Sequence, residues 1–319
     1  MSSGLQKLLE YNRQKKKTKE RERCIVKTLN VRKRKPLPKE KFDPSTGKSS
    51  ARKSDQCFII IPDVHSYLRD DKAFDLCMES LPILNKMYNV TKVIQLGDLL
   101  ECGEYNNHPQ ACPYEEMPTY SEEVQWAIDE FWKPVQKACP KANYYALMGN
   151  HENRLSTYIV KAAGRNEIAA EIFDSFMPTQ VYEELGVNVT PYGTESVTDG
   201  VLEIFPGLVC IHGWSAAMNA AKTHLDQLTG GMSMIFGHTH RIQSYVKRNP
   251  ITNEQVGAWS FGALARNNML WNKGRPTQHN LGFGIVLTHG KEFKVITLEI
   301  KIAGDKRTLF LPDGTIMEK

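Results

Sequence analysis

CFIIIPDVH (57–65) is a short unbroken apolar run that stops at Pro62 and Asp63, the pattern of a buried strand with its polar end at a loop. KVIQLGD (92–98) and NYYALMGN (143–150) repeat the pattern, each closed by a glycine and a polar side chain. Between the first two runs, Phe74, Cys77, Leu81 and Leu84 recur at three- and four-residue spacing, which predicts a helix from about Ala73 to Met87. A second helical pattern covers about Glu122 to Ala138. Strands alternating with helices predict an α/β layered fold with a substantially parallel sheet.

From about Val187 the pattern changes. VLEI, LVCIHG, MSMIFGH, RIQSYVK, QVGAWSF, FGIVLTH and EFKVITLEI read as short strands, with one helix-like segment near Ala216–Leu228. These predict a second, more antiparallel half. No internal repeat is present.

The polar residues concentrate where the strands end, which is where open α/β sheets bind ligands. The first run gives Asp63 and His65, the second Asp98, and the third Asn150, His151 and Glu152. In the second half, LVCI runs into His212, and MSMIF into His238 and His240. Five of the nine histidines therefore occupy strand ends, and those ends also carry Gly, Asp or Asn. Carboxylate, amide and imidazole donors together suit borderline divalent ions such as Mn, Fe, Zn, Co or Ni, and suit calcium or a cysteine-rich zinc site poorly. One shared carboxylate can bridge two ions roughly 3.5–4 Å apart, the arrangement that activates water for phosphate-ester hydrolysis.

The ordered motifs D-x-H, G-D-x-x-E, G-N-H-E, H-G and G-H-T-H, spanning Asp63 to His240, resemble the calcineurin-like metallophosphoesterase superfamily. That resemblance implies a four-layer αββα sandwich of two mixed β-sheets flanked by helices, with a dimetal site on loops at one edge. It implies two divalent ions, manganese first among Mn, Fe, Zn, Ni, Co and Mg. Asp63, His65 and His240 would hold one ion, Asp98 would bridge, and Asn150, His212 and His238 would hold the second. His151 would stabilise the transition state or protonate the leaving oxygen, with Glu152 or Glu101 fixing its tautomer. GNHENRL (149–155), GHTHR (237–241) and NLGFGIV (280–286) look most like the phage- and prophage-encoded branch.

The chain departs from the commonest form of the family at three positions. Glu101 stands where Asp is usual, and Cys102-Gly103 and Met148 stand where the Ser/Thr phosphoprotein phosphatases carry arginines. Without those bidentate phosphate binders, the resemblance favours a phosphodiesterase or nuclease-like enzyme on nucleic acid or nucleotides. A phosphoprotein phosphatase or other phosphomonoesterase is the alternative, and a non-catalytic scaffold of the same fold is a third reading. His108, Arg154 and Arg241 are candidate substrate contacts, each with a surface or salt-bridge role as the rival reading. His224, His279 and His289 read as surface or packing residues, and Cys102 and Cys210 as inert thiols.

Charge divides the chain. Residues 1–55 hold 18 Lys or Arg against 6 Asp or Glu, a net +12, whereas the remainder is net −7, giving +5 overall. The chain is read as a largely disordered basic arm (1–55), a catalytic domain (56–300) and a C-terminal extension (301–319). The arm carries only Tyr11 and Phe42 as aromatics, so DNA or RNA binding through it would be electrostatic and non-specific. A passive solvated tail, or a nuclear-import patch at RKRKP (32–36), would look the same. Seven cysteines form no C-x-x-C pair, and no apolar run reaches the roughly 18 residues of a spanning helix. With no signal-peptide core at the start, these features predict a cytoplasmic protein without membrane contact (host cytoplasm, if phage-encoded).

Overall fold

The computed structural model describes residues 55–106, 117–163, 177–193, 199–227, 231–251, 253–267, 269 and 275–319. The basic arm, apart from Asp55, lies outside them, as does His108. In chain order the first half gives β1 (Cys57–Ile61), α1 (Asp71–Tyr88), β2 (Val90–Gln95), α2 (Tyr120–Trp126), α3 (Lys133–Ala138), β3 (Asn143–Leu147), α4 (Glu152–Ala163), α5 (Pro178–Glu184) and β4 (Val187–Thr190). Then follow β5 (Leu202–Phe205), β6 (Leu208–Ile211), α6 (Ala220–Gln227), β7 (Ser233–Phe236), β8 (Ile242–Arg248), β9 (Gln255–Phe261), β10 (Leu281–His289), β11 (Glu292–Ala303), β12 (Lys306–Phe310) and β13 (Ile316–Glu318).

Helix α1 begins two residues before its apolar pattern because Asp70 caps it, accepting the Ala73 N–H at 3.0 Å. It ends at Asn89, whose φ of 51° is the left-handed conformation that stops helices. Between α2 and α3 the chain makes a π-helical turn, Ala127–Trp132, in which the Lys133 N–H reaches back five residues to Ile128 O. Pro134 follows at once, and its missing N–H removes the ordinary helical bond at this point.

Strands β1 to β3 lie side by side in parallel, as their apolar runs predict, and β4, which starts where the sequence predicts the more antiparallel half, instead adds a fourth parallel strand to them. The C-terminal strands correct the sequence reading. FGIVLTH and EFKVITLEI do not join the second half. Instead β10 pairs antiparallel with β1, and β11, β12 and β13 continue the same eight-stranded sheet. The boundary expected at residue 300 thus falls inside β11, and residues 301–319 complete that sheet. The second sheet has the order β5-β6-β7-β9-β8, and its centre, β6, β7 and β9, is parallel rather than antiparallel.

The two sheets face each other through alternate residues. Phe58 and Ile60 of β1, with Ile94 and Leu147, meet Leu208, Cys210, Ile235 and Phe261 of the second sheet, all buried. Gly284 in β10 makes room for this contact, since a Cβ there would overlap the Phe261 ring. On the outside of the second sheet, Ala220, Ala221 and Leu225 of α6 cover Val209, Ile211, Met234 and Phe236. On the other side, Phe74 of α1 packs 5.6 Å from Trp126 and 6.5 Å from Phe131. The result is two mixed sheets with helices outside them. Among the described residues, no helix is long and apolar enough to cross a membrane.

Candidate metal centre

The loops leaving β1, β2, β3, β6 and β7 converge at one end of the sandwich. The first two are stitched together by the backbone: Val64 and His65 N–H both bond Asp98 O, at 3.0 and 2.9 Å. His65, Asp98, His238 and His240 all have positive φ, between 52° and 67°. Non-glycine residues rarely sit there, and such strain gathers at functional sites. The glycines of the motifs have a local cause. A Cβ on Gly97 would lie 2.6 Å from His212 Nδ1, and one on Gly237 would lie 2.6 Å from Asp63 Oδ2.

Three overlapping groups of side chains result: His65 and Asp98 gather with His151, whose Nε2 is 3.8 Å from Asp98 Oδ2, and two further sets flank them. Asp63, His65 and His240 form one, with His240 Nε2 3.6 Å from Asp63 Oδ1 and 2.9 Å from His65 Nε2. Asp98, His212 and His238 form the other, joined by Asn150, whose Oδ1 lies 2.9 Å from His212 Nε2 and 2.8 Å from His238 Nδ1. Asp98 stands between them: its Oδ2 is 3.3 Å from His212 Nε2 and 3.9 Å from His65 Nε2. In two of these rings the other nitrogen has a partner that fixes the tautomer. His212 Nδ1–H donates to Leu96 O at 2.8 Å, and His65 Nδ1–H donates to Glu101 Oε2 at 2.8 Å.

The Nε2 atoms of His65 and His212 therefore point inward, among carboxylate and amide oxygens and another imidazole nitrogen. Such crowding of buried acceptors fits cations and fits little else. Burial opposes charge on His212, yet Asp98 and Asp63 push its pKa up to about 10, a sign of how strongly the pocket favours positive charge.

The matching family model is that of the calcineurin-like phosphoesterases, and it covers residues 58–242. The chain belongs to this family. It is a metallophosphoesterase, a hydrolase of phosphoric esters. Three solved structures are similar to it at low identity. Vps29 from Chaetomium thermophilum is 8% identical, covers 83% of this chain and 93% of its own, with a TM-score of 0.38. The nuclease MPE of Pseudomonas putida is 14% identical, covering 75% and 87%, with a TM-score of 0.31. A phosphatase from Mycoplasma pneumoniae is 11% identical, covering 78% and 95%, with a TM-score of 0.35. No curated protein sequence matches.

Behind the donors of this phosphoesterase stand three buried glutamates. Glu101 Oε2 lies 2.9 Å from His151 Nδ1 as well as touching His65, so it takes the partner role left open between Glu101 and Glu152. Glu152 instead accepts the N–H groups of Asp98, Leu100 and Gly149 at 2.8–3.0 Å, locking the second and third loops together. Glu123 was not singled out from the sequence. Its Oε2 accepts Ser66 Oγ–H and Glu101 N–H at 2.7 Å and Cys102 N–H at 3.2 Å. Burial pushes its pKa up to about 7. The available signal was an acidic residue on the apolar stripe Glu123–Ala127–Phe131, where a solvated side chain is out of place.

Arg154 Nη1 donates to Glu101 O and Oε1 at 2.8 Å, and its Nη2 is 3.1 Å from His151 Nε2, so it sits at the site. Arg241 turns its Nη2 to the carbonyls of Ala216 and Ala217, at 3.0 and 2.7 Å, and anchors the loop after β6. His224 is buried, as a packing residue, and accepts the Trp214 and Ser215 N–H groups. His289 is exposed, beside Asp55. His279 lies closer to the site than its sequence context implies, its ring 4.9 Å from that of His240. Cys102 and Cys210 are buried free thiols, and burial raises the pKa of both.

Proposed function

We propose that this metallophosphoesterase is a dimetal hydrolase acting on phosphodiester bonds of nucleic acid or nucleotides. The observation that carries it is the gathering of seven donor side chains in two sets with Asp98 between them. Asp63, His65 and His240 would hold one ion; Asn150, His212 and His238 the other; Asp98 would bridge, and manganese is the metal we favour. When bound, the ions activate the attacking water and neutralise charge on the phosphoryl oxygens.

The chain's own residues supply the rest. Glu101 Oε2 lies 2.9 Å from Nδ1 of His151, while Nε2 accepts from Arg154 Nη2–H; once a phosphate oxygen draws that guanidinium away, Nε2 would be released to carry a proton to the departing oxygen. Arg154, at 3.1 Å from that nitrogen, offers a guanidinium to a phosphate oxygen. The two arginines of the phosphoprotein phosphatases are replaced by Cys102 and Met148, which favours diesters over phosphoproteins. The likeness of its motifs to the phage-encoded branch is part of the same reading. The +12 arm would hold a polyanionic substrate that the acidic body repels.

A screen of phosphomonoesters, phosphodiesters and polynucleotides, before and after chelation and with manganese restored, tests this. Hydrolysis of diesters that is abolished by chelator and recovered with manganese is expected. Metal-independent turnover removes the dimetal reading, and a phosphopeptide cleaved faster than any diester moves the assignment to a phosphomonoesterase. Deleting residues 1–54 should weaken polynucleotide binding in a salt-dependent way and leave turnover of a small ester unchanged.

A further inference from the structure

Helix α4 starts at the catalytic turn and carries two side chains on one face toward the same neighbourhood. Arg154 touches His151 and Glu101, and Tyr158 is one helical turn further on, at the i+4 position. The Tyr158 ring is 50% exposed, which alone would be unremarkable for a surface helix. It packs against a second aromatic ring, however. Tyr105 lies 5.1 Å from it, centroid to centroid, and Tyr105 itself packs at 5.9 Å against Tyr120 of α2. Tyr105 is brought there by the 3-10 turn Gly103–Tyr105, which directly follows Glu101 and Cys102. The same two loops that bring Glu101 to His151 therefore bring Tyr105 to Tyr158.

From His151 outward, the surface runs from an imidazole to a guanidinium to a supported aromatic face. A group leaving from phosphorus next to His151 Nε2 would meet these residues in that order. A guanidinium followed by aromatic rings suits the reacting phosphate and then the base of the leaving nucleoside, because the cation takes the phosphate charge and stacking accepts any base. Resting on the diesterase reading above, we propose that Arg154, Tyr105 and Tyr158 form the subsite for the nucleoside that leaves.

The test compares two diesters of thymidine 3′-phosphate, one whose leaving alcohol is the 5′-hydroxyl of a second thymidine and one whose leaving alcohol is methanol. Both release an unactivated alcohol, so the difference between them reads the subsite. With manganese present, Tyr158→Ala is expected to lower kcat/KM for the dinucleotide by about ten- to a hundredfold. The methyl ester should be unaffected, and Tyr158→Phe should retain most of the wild-type preference. Equal losses on both substrates, or no loss on either, overturn the subsite. If the wild-type protein hydrolyses neither ester, the diesterase reading itself has failed, which is a separate outcome.

Discussion

Gly149 is packed against Asp98 so tightly that a Cβ on the glycine would overlap Asp98 Oδ1 and stand 2.8 Å from its Cγ. The loop after β3 can approach the carboxylate only because position 149 has no side chain. Glu152 reinforces the contact from behind through both backbones. Gly149→Ala should therefore displace Asp98 and cost about 1–3 kcal/mol of stability by overpacking. Metal content measured on the purified variant should fall below that of the wild type. Unchanged metal occupancy would show that the carboxylate has room to spare.

His151 and Asp98 separate the two parts of the proposed chemistry. His151 gathers with His65 and Asp98, its Nε2 3.8 Å from Asp98 Oδ2, but its Nδ1 faces Glu101 Oε2 at 2.9 Å and it belongs to neither set built on Asp63 or His238, so His151→Ala should keep its metal and lose about 10²–10⁴ in kcat. Asp98 lies between the sets, so Asp98→Ala should lose metal first and activity as a consequence. Elemental analysis alongside single-turnover rates distinguishes these. Metal lost from the His151 variant, or retained in full by the Asp98 variant, contradicts the assignment.

The sequence made the donors legible because each follows an apolar strand directly: the run CFIII ends at Asp63, and SMIF ends at His238 and His240. Parallel strands carry their ligands at one end, so local patterns were enough to gather residues far apart in the chain. What could not be read were pairings decided by distant partners. The strands Leu281–His289 and Glu292–Ala303 have the same alternation whichever sheet they join, and only the packing of β10 against β1 decides it. Glu123 acquires its role from backbone N–H groups more than 20 residues earlier, and His279 from a ring 39 residues earlier. Nothing within either segment records those neighbours.

Glu123 gives a pH dependence of definite sign. Burial raises its pKa from the ordinary 4.5 to about 7, so between those values the native state holds a proton that the unfolded chain releases. Its contribution to stability is complete below pH 4.5 and is lost as pH rises through 7. A proton on Oε1, which has no partner of its own, leaves Oε2 free to accept its three hydrogen bonds. Glu123→Gln keeps that acceptor, so it should retain activity and show a flatter stability curve over this range. Glu123→Ala leaves the Ser66, Glu101 and Cys102 donors without their acceptor, so it should lower both Tm and kcat. Parallel curves for wild type and the glutamine variant would mean that Glu123 is ionised throughout.

His224 should act in the opposite direction on the far side of the site. Its Nδ1–H donates to Ala220 O at 2.9 Å, and its Nε2 accepts the Trp214 and Ser215 N–H groups at 3.1 and 3.2 Å. That pattern requires a neutral ring, because a proton on Nε2 would face two donors. Burial accordingly lowers its pKa from 6.5 to about 4. Above pH 6.5 its contribution is complete; as pH falls from 6.5 toward 4 the unfolded chain binds the proton first, and native stability declines. His224→Gln supplies an uncharged acceptor and should remove this part of the acid sensitivity. Chemical denaturation of both proteins at pH 7, 6, 5 and 4 reads it as a gap that narrows, or reverses in favour of the variant, as pH falls. A gap that stays constant would place the proton elsewhere than His224.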